Sequence, residues 1–261
     1  MNSQNRDFTI REDASGHPLG SFPSLSAELG IVHAVTPKGG WLLPADLLDP
    51  GHAPLARSLA RSLGLEDAAW LKQVHGNRIV EAESPGLLGE GDAMISSKPG
   101  LGLIMRGADC PLILAWARGS RDELVGAAHA SWRGTVAKVA ERMILTLLER
   151  SGADPPSLRA VIAPSAGPCC YEVGEEVRER ALDELGPAAT EFFENRHGAL
   201  YFDLWKANRA QLENLGLASG RVDTAGHCTM CMTDRYPSWR KEGRSAGRMA
   251  ALIGLLPLSE A

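Results

Sequence analysis

Leu101-Gly102-Leu103-Ile104-Met105, Pro111-Leu112-Ile113-Leu114-Ala115-Trp116 and Leu124-Val125-Gly126-Ala127-Ala128-His129-Ala130 are three short apolar runs in close succession, preceded by Ala93-Met94-Ile95. Runs of this length, apolar almost throughout, predict neighbouring strands in a sheet buried on both faces. The next segment changes period. Val136, Val139, Ala140, Met143, Ile144, Leu147 and Leu148 fall on one helical stripe, and Gly152 supplies a C-terminal stop. Strands followed by a helix that covers them predict the α/β class, as a single-domain, layered α/β sandwich with a mixed, largely buried sheet.

On either side of this centre the signals are more mixed. Residues 54–63 have apolar positions at helical spacing before Gly64, and residues 71–82 alternate like a strand that contains His75. The stretch up to Pro50 is rich in Gly, Pro and Ser and predicts irregular wrapping, with one strand candidate at 30–35 before the Lys38-Gly39-Gly40 turn. A strand at 158–162 runs into Pro164-Ser165-Ala166-Gly167-Pro168, and helices are expected at 174–185 and 204–215. There is no internal repeat, low-complexity tract or linker, so 261 residues are expected to form one domain, 1–261.

The formal net charge of −5 offers no general attraction to phosphate backbones or anionic membranes, so neither nucleic acid nor membrane is an expected partner. The N-terminus lacks a basic start followed by an apolar run, and apolar stretches elsewhere are broken by Arg106, Asp109 and Pro257. The expected location is the cytoplasm, and the expected state of the five cysteines is free thiol.

Among seven histidines and five cysteines, three have company that suggests chemistry. His75 lies in Gln73-Val74-His75-Gly76, Cys110 in Ala108-Asp109-Cys110-Pro111, and His129 in His129-Ala130-Ser131-Trp132-Arg133-Gly134, each where a strand meets a turn. Two imidazoles and one thiolate suit zinc and leave a fourth tetrahedral position open, as in a catalytic site. The spacings match no short zinc-finger pattern, so hydrogen-bonded histidines around a small core cysteine remain the alternative. Asp109 is either a general acid or base or a carboxylate that binds turn N–H groups. Arg133 either forks onto a phosphate or makes a surface ion pair. The turn Ser238-Trp239-Arg240-Lys241 offers a stacking ring and an anion-binding arginine, or is a solvated loop. Cys228-Thr229-Met230-Cys231 has metal or redox spacing but lacks an evident second pair, which favours a structural role. Cys169-Cys170, read as part of a strand, would point to opposite faces.

Gln73-Val74-His75-Gly76, Ala108-Asp109-Cys110-Pro111, the block 129–134, Gly167-Pro168-Cys169-Cys170-Tyr171-Glu172-Val173, and Ser238-Trp239-Arg240 with Gly247-Arg248 resemble, in the same order, the blocks of the laccase-domain family. That family is also called multicopper polyphenol oxidase and, more recently, purine nucleoside phosphorylase. The resemblance implies an α/β sandwich, zinc held by His75, Cys110 and His129, and phosphorolysis of adenosine, inosine, guanosine and methylthioadenosine with deamination of adenosine. Purine nucleoside and phosphate are then the substrates, Arg133 and Arg240 the candidate substrate contacts, and Asp109 and Cys110 the candidate catalytic pair. Some members are described instead as copper-dependent phenol oxidases or peptidoglycan-editing factors, so copper is the alternative metal and an amidase the alternative enzyme. A multicopper site needs many imidazoles, usually in His-x-His pairs, and this chain has none of those pairs. The sequence departs from the family at Lys38, Gly107, Ser131, Ala166 and Tyr236-Pro237-Ser238-Trp239, and the Ser-Leu-Asn element is not recognisable in residues 41–50.

Overall fold

The computed structural model describes residues 8–44 and 49–257. Residues 1–7, on which the expectation about a secretory leader falls, residues 45–48, within the stretch that holds no recognisable Ser-Leu-Asn element, and residues 258–261 lie outside the described residues.

The apolar runs fold into two facing sheets. The first has seven strands in the order Thr9–Glu12, Pro18–Ser21, Ile31–Val35, Met249–Leu255, Leu101–Gly107, Asp67–Lys72 and Gly86–Glu90. The second has six, in the order Val222–Thr224, Arg159–Ile162, Leu112–Arg118, Glu123–His129, Ala93–Ser96 and Ile79–Glu81. Both are mixed: Asp67–Lys72 pairs in parallel with both neighbours, whereas Leu101–Gly107 and Met249–Leu255 are antiparallel.

Alternation along the strands explains why these runs have no polar face. Leu103, Met105, Ala251 and Ile253 of the first sheet meet Leu112, Leu114, Val125 and Ala127 of the second in a shared core. The opposite face of the first sheet, with Trp70, Ile104 and Leu252, is covered by the helix Ala53–Ser62 through Ala56, Leu59 and Ala60. The opposite face of the second, with Ile95, Ile113 and Ala128, is covered by the helix Val139–Ser151. The result is four layers, helix, sheet, sheet and helix. Met143, Ile144 and Leu147 are fully buried, so Leu147→Ala should cost about 2–5 kcal/mol.

Three expectations need correction. The N-terminal region is more regular than its composition suggests, since three strands before residue 36 build one edge of the first sheet. The supposed strand over 71–82 is two strands in different sheets, with His75 on the connection. The helical stripe from Val136 is also divided: Trp132–Val136 ends, Lys138 takes φ 60, and Val139–Ser151 begins. The carbonyls released by that break are capped by side chains, Ala137 O by Asn77 Nδ2 at 2.8 Å and Thr135 O by Gln211 Nε2 at 2.9 Å. Gly152, at φ 66, ends the second helix by donating its N–H to Leu148 O, as its position in the sequence predicts.

A small third sheet, Glu172–Val173, Ala199–Phe202 and Phe193–Arg196, lies beside the helices Glu175–Leu185 and Leu204–Asn214. No helix among the described residues is long and apolar enough to cross a membrane.

Candidate metal centre

At one end of the sandwich the chain passes from the first sheet to the second by a short connection from Glu90 to Ala93, which carries Asp92, and by two longer crossings, from Lys72 to Ile79 and from Gly107 to Leu112. Each longer crossing has one non-glycine residue in the left-handed region, His75 at φ 62 and Asp109 at φ 84. That conformation costs on the order of 1–3 kcal/mol, so the surroundings must hold it.

Asp92 holds the first crossing. Its buried carboxylate takes N–H bonds from Val74 at 3.1 Å, His75 at 3.0 Å and Gly76 at 2.7 Å, and Oδ1 also accepts Nδ1–H of His129 at 2.9 Å. Burial works against its charge, but the bond from His129 and the N–H groups of the turn outweigh it and keep the carboxyl below its ordinary value. Because an ionised carboxylate only accepts, Nδ1 of His129 must carry a proton, which turns Nε2 towards the centre, where a metal ion would take the place of the second ring proton. Asp109 holds the second crossing. Its oxygens accept Thr229 Oγ1–H and Arg240 N–H, both at 2.7 Å, and its carbonyl accepts Ala166 N–H at 2.8 Å. Gln73 ties the crossings together, since its amide donates to Arg106 O at 2.7 Å and accepts Arg106 N–H at 3.0 Å.

His129 ends its strand pairing with Leu112, which brings it beside the second crossing. The ligand atoms of His75, Cys110 and His129 all lie within 4.8 Å of one another, and the imidazoles stand edge to face with centroids 4.9 Å apart. The three residues could hold a metal ion. Burial alone would raise the Cys110 thiol, but the charge of His129 and hydrogen bonds from both imidazoles bring it down to about 6. Burial likewise opposes the His129 cation, yet the Cys110 thiolate and the bond to Asp92 raise it to about 9. A thiolate stabilised at neutral pH is the form that binds metal.

These three side chains, with Arg106, Trp239 and Arg248, line a cavity of about 430 Å³, within the size range of small-molecule sites. Arg248 lies over the Trp239 ring at 5.2 Å and donates to Ala246 O and Gly247 O. The other sequence candidates are placed differently. Arg133 lies over Trp132 at 4.4 Å and lines a neighbouring cavity with Glu176, Arg180 and Glu184, sharing only His75 with the first. Arg240 packs over Tyr171 at 4.9 Å and donates to Glu172 O, while its backbone binds Asp109. Of the two roles open to Asp109, its hydrogen bonds favour bracing of the turns.

Asp92, Arg106 and Arg248 are the site residues that sequence reading did not single out. Arg106 precedes the Asp-Cys pair and Arg248 stands in a resembling block, so each had a local signal. Asp92 had none, because an aspartate before a short apolar run reads as an ordinary turn residue.

Fold and site together define a class that the comparisons identify. Residues 55–256 match the family described as multi-copper polyphenol oxidoreductase laccase, and the chain belongs to that family. It is 36% identical over 255 residues to a purine nucleoside phosphorylase of Deinococcus radiodurans, covering 93% of this chain and 94% of that one. It is 32% identical to purine nucleoside phosphorylase YfiH of Escherichia coli, covering 72% and 73%. The crystal structure of YlmD from Geobacillus stearothermophilus superposes with a TM-score of 0.83 at 26% identity, covering 95% and 99%.

Proposed function

We propose that the chain is a zinc-dependent purine nucleoside phosphorylase acting on adenosine, inosine, guanosine and methylthioadenosine, with adenosine deamination as a second activity of the same centre. The observation that carries this reading is the meeting, in one cavity, of the His75, Cys110 and His129 donors with two arginines and an indole. The donor set fits zinc, since two imidazole nitrogens and one thiolate are borderline-soft and three protein ligands leave one tetrahedral position for substrate. A zinc ion held there supplies Lewis-acid polarisation of a substrate atom, or of a water directed at the purine ring.

In phosphorolysis a phosphate oxygen bonds to the ribose C1′ as the C1′–N9 bond breaks, and the purine leaves with the electron pair and takes up a proton. Arg248 and Arg106 line the cavity and would hold that phosphate with charge-assisted bonds that a neutral side chain lacks, the Arg106 guanidinium being anchored to Pro44 O and Leu71 O. Trp239, half-exposed at the cavity wall, offers a face on which a purine stacks. Asp92 keeps the His129 ring turned towards the centre, and Asp109 positions the turns that carry Thr229 and Arg240. The similarity to purine nucleoside phosphorylases of Deinococcus radiodurans and Escherichia coli supports the same reading.

A copper polyphenol oxidase has less support. The seven histidines include no His-x-His pair, and among the described residues imidazoles join a metal-sized cluster only at His75 and His129. The test is direct: zinc-loaded protein with adenosine and inorganic phosphate should release adenine and ribose 1-phosphate in equal amounts, and no adenine when phosphate is left out. If adenosine, inosine and methylthioadenosine all stay intact, the nucleoside reading is lost and the peptidoglycan-editing amidase takes its place.

A further inference from the structure

The centre described above uses one of the five cysteines, and the other four also come together. Arg159–Ile162 and Val222–Thr224 are parallel neighbours, so the loops that follow them leave the sheet side by side. Backbone bonds extend the pairing beyond the strands, from Ser165 N–H to His227 O and from Thr229 N–H to Ser165 O. Cys169 and Cys170 stand on the first loop, Cys228 and Cys231 on the second. All four sulphurs lie within 4.8 Å of one another, with Cys170 and Cys169 at 3.3 and 3.6 Å from Cys231.

Two observations say what this cluster is built for. A tetrahedral zinc site with Zn–S bonds of about 2.3 Å has S···S edges of about 3.8 Å, whereas a disulfide needs about 2.05 Å. The observed separations are close to the first distance and far from the second. The sulphur of Cys228 also receives N–H bonds from the backbone, from Gly167 at 3.2 Å and from Met230 and Cys231 within its own tight turn. Converging amides of this kind favour anionic sulphur, and they are how a Cys-x-x-Cys turn presents two thiolates to one ion. Cys169 and Cys170 lie in a turn and not in a strand, so the opposite-faces argument from sequence does not hold, and they supply the second pair that the Cys-x-x-Cys spacing lacked.

We infer that Cys169, Cys170, Cys228 and Cys231 bind one zinc ion as a closed tetrathiolate, a structural site separate from the open centre at Cys110. Four protein ligands leave no position for substrate, so its role is to fix geometry. The two loops it joins brace the segments around the open centre: Tyr171, next to Cys170, carries the Arg240 guanidinium, and Thr229, next to Cys228, bonds to Asp109. The inference stands apart from the phosphorylase reading, because its test counts metal and not turnover.

The test is zinc content of the full-length protein, produced with zinc and purified without chelator. Wild type should carry two zinc ions per chain, Cys110→Ala one, the double variant Cys169→Ser/Cys231→Ser one, and the combination of all three none. Because Cys169 and Cys231 are exposed, their replacement should leave a folded chain, checked by circular dichroism and by the zinc retained at the other centre. Cobalt loading gives a second readout, since four of the five metal-bound thiolates belong to this site. The double variant should lose about four-fifths of the thiolate-to-cobalt charge-transfer intensity, and Cys110→Ala about one-fifth. A wild type with one zinc that the double variant keeps would overturn the inference. So would a disulfide among these four cysteines, seen as a two-hydrogen mass loss in freshly made protein.

Discussion

Two sulphur-containing clusters occupy the same end of the sandwich and differ in what backs them. The centre at Cys110 combines one thiol with two imidazoles, opens into a cavity and is held by the buried carboxylate of Asp92. The cluster at Cys228 combines four thiols, includes no carboxylate among the described residues and rests on backbone N–H groups at a loop pairing. The comparison teaches that an open coordination position calls for an independent scaffold to keep its ligands in place, whereas a closed set of ligands is its own scaffold once an ion is bound.

The largest contrast should appear in thiol reactivity. In metal-stripped protein, Cys110 is held at about 6 by the net effect of burial and its two imidazoles, whereas burial and the hydrogen bond with Cys231 push Cys170 up to about 11. Thiolate, not thiol, is alkylated, so iodoacetamide at pH 8 should label Cys110 and spare Cys170. The alkylation midpoint of Cys110 should lie well below that of Cys170; equal midpoints would erase the distinction.

Cys110→Ala should abolish phosphorolysis and remove one metal ion. The loss in metal affinity should exceed the 10–100-fold typical of an outer-shell change. Asp92→Asn should come next, with metal affinity at the open centre reduced about 10–100-fold and stability lowered by on the order of 3 kcal/mol. An amide cannot accept all four N–H groups that Asp92 receives. Isothermal titration and urea unfolding measure the two effects separately.

Arg248→Ala should raise the phosphate KM about 10–100-fold, the worth of a charge-assisted contact of about 1.5–3 kcal/mol, with a smaller change for nucleoside. Arg133→Ala, at an exposed position in the neighbouring cavity, should change it by no more than about fivefold, the scale of an exposed ion pair. The reverse order would restore Arg133 as the phosphate contact.

The central strands and the helices were legible in the sequence because burial on both faces leaves no polar interruption, as in Leu112–Arg118. The last strand, Met249–Leu255, sits in the middle of the first sheet, yet its small Ala and Gly residues near the C-terminus gave a weak pattern. The division of the helix at Lys138 was not legible either, since its cause is the capping of freed carbonyls by Asn77 and Gln211, far away in the chain. The same holds for the sites. Cys110 and the two histidines carried local motifs, whereas Asp92 and the pairing of Cys169-Cys170 with Cys228 and Cys231 exist only through the crossing of distant segments.

Asp92 has one more consequence. Its carboxylate gathers the turn at 74–76 and the ring of His129 through bonds that involve no ion, so the shape of the open centre is a property of the polypeptide. Loading that centre is therefore a docking event into a finished socket and not a step of folding. A chelator should strip it and fresh metal refill it repeatedly, with no renaturation between cycles. On the proposed reading, metal exchange there is a matter of supply and ligand chemistry and not of refolding.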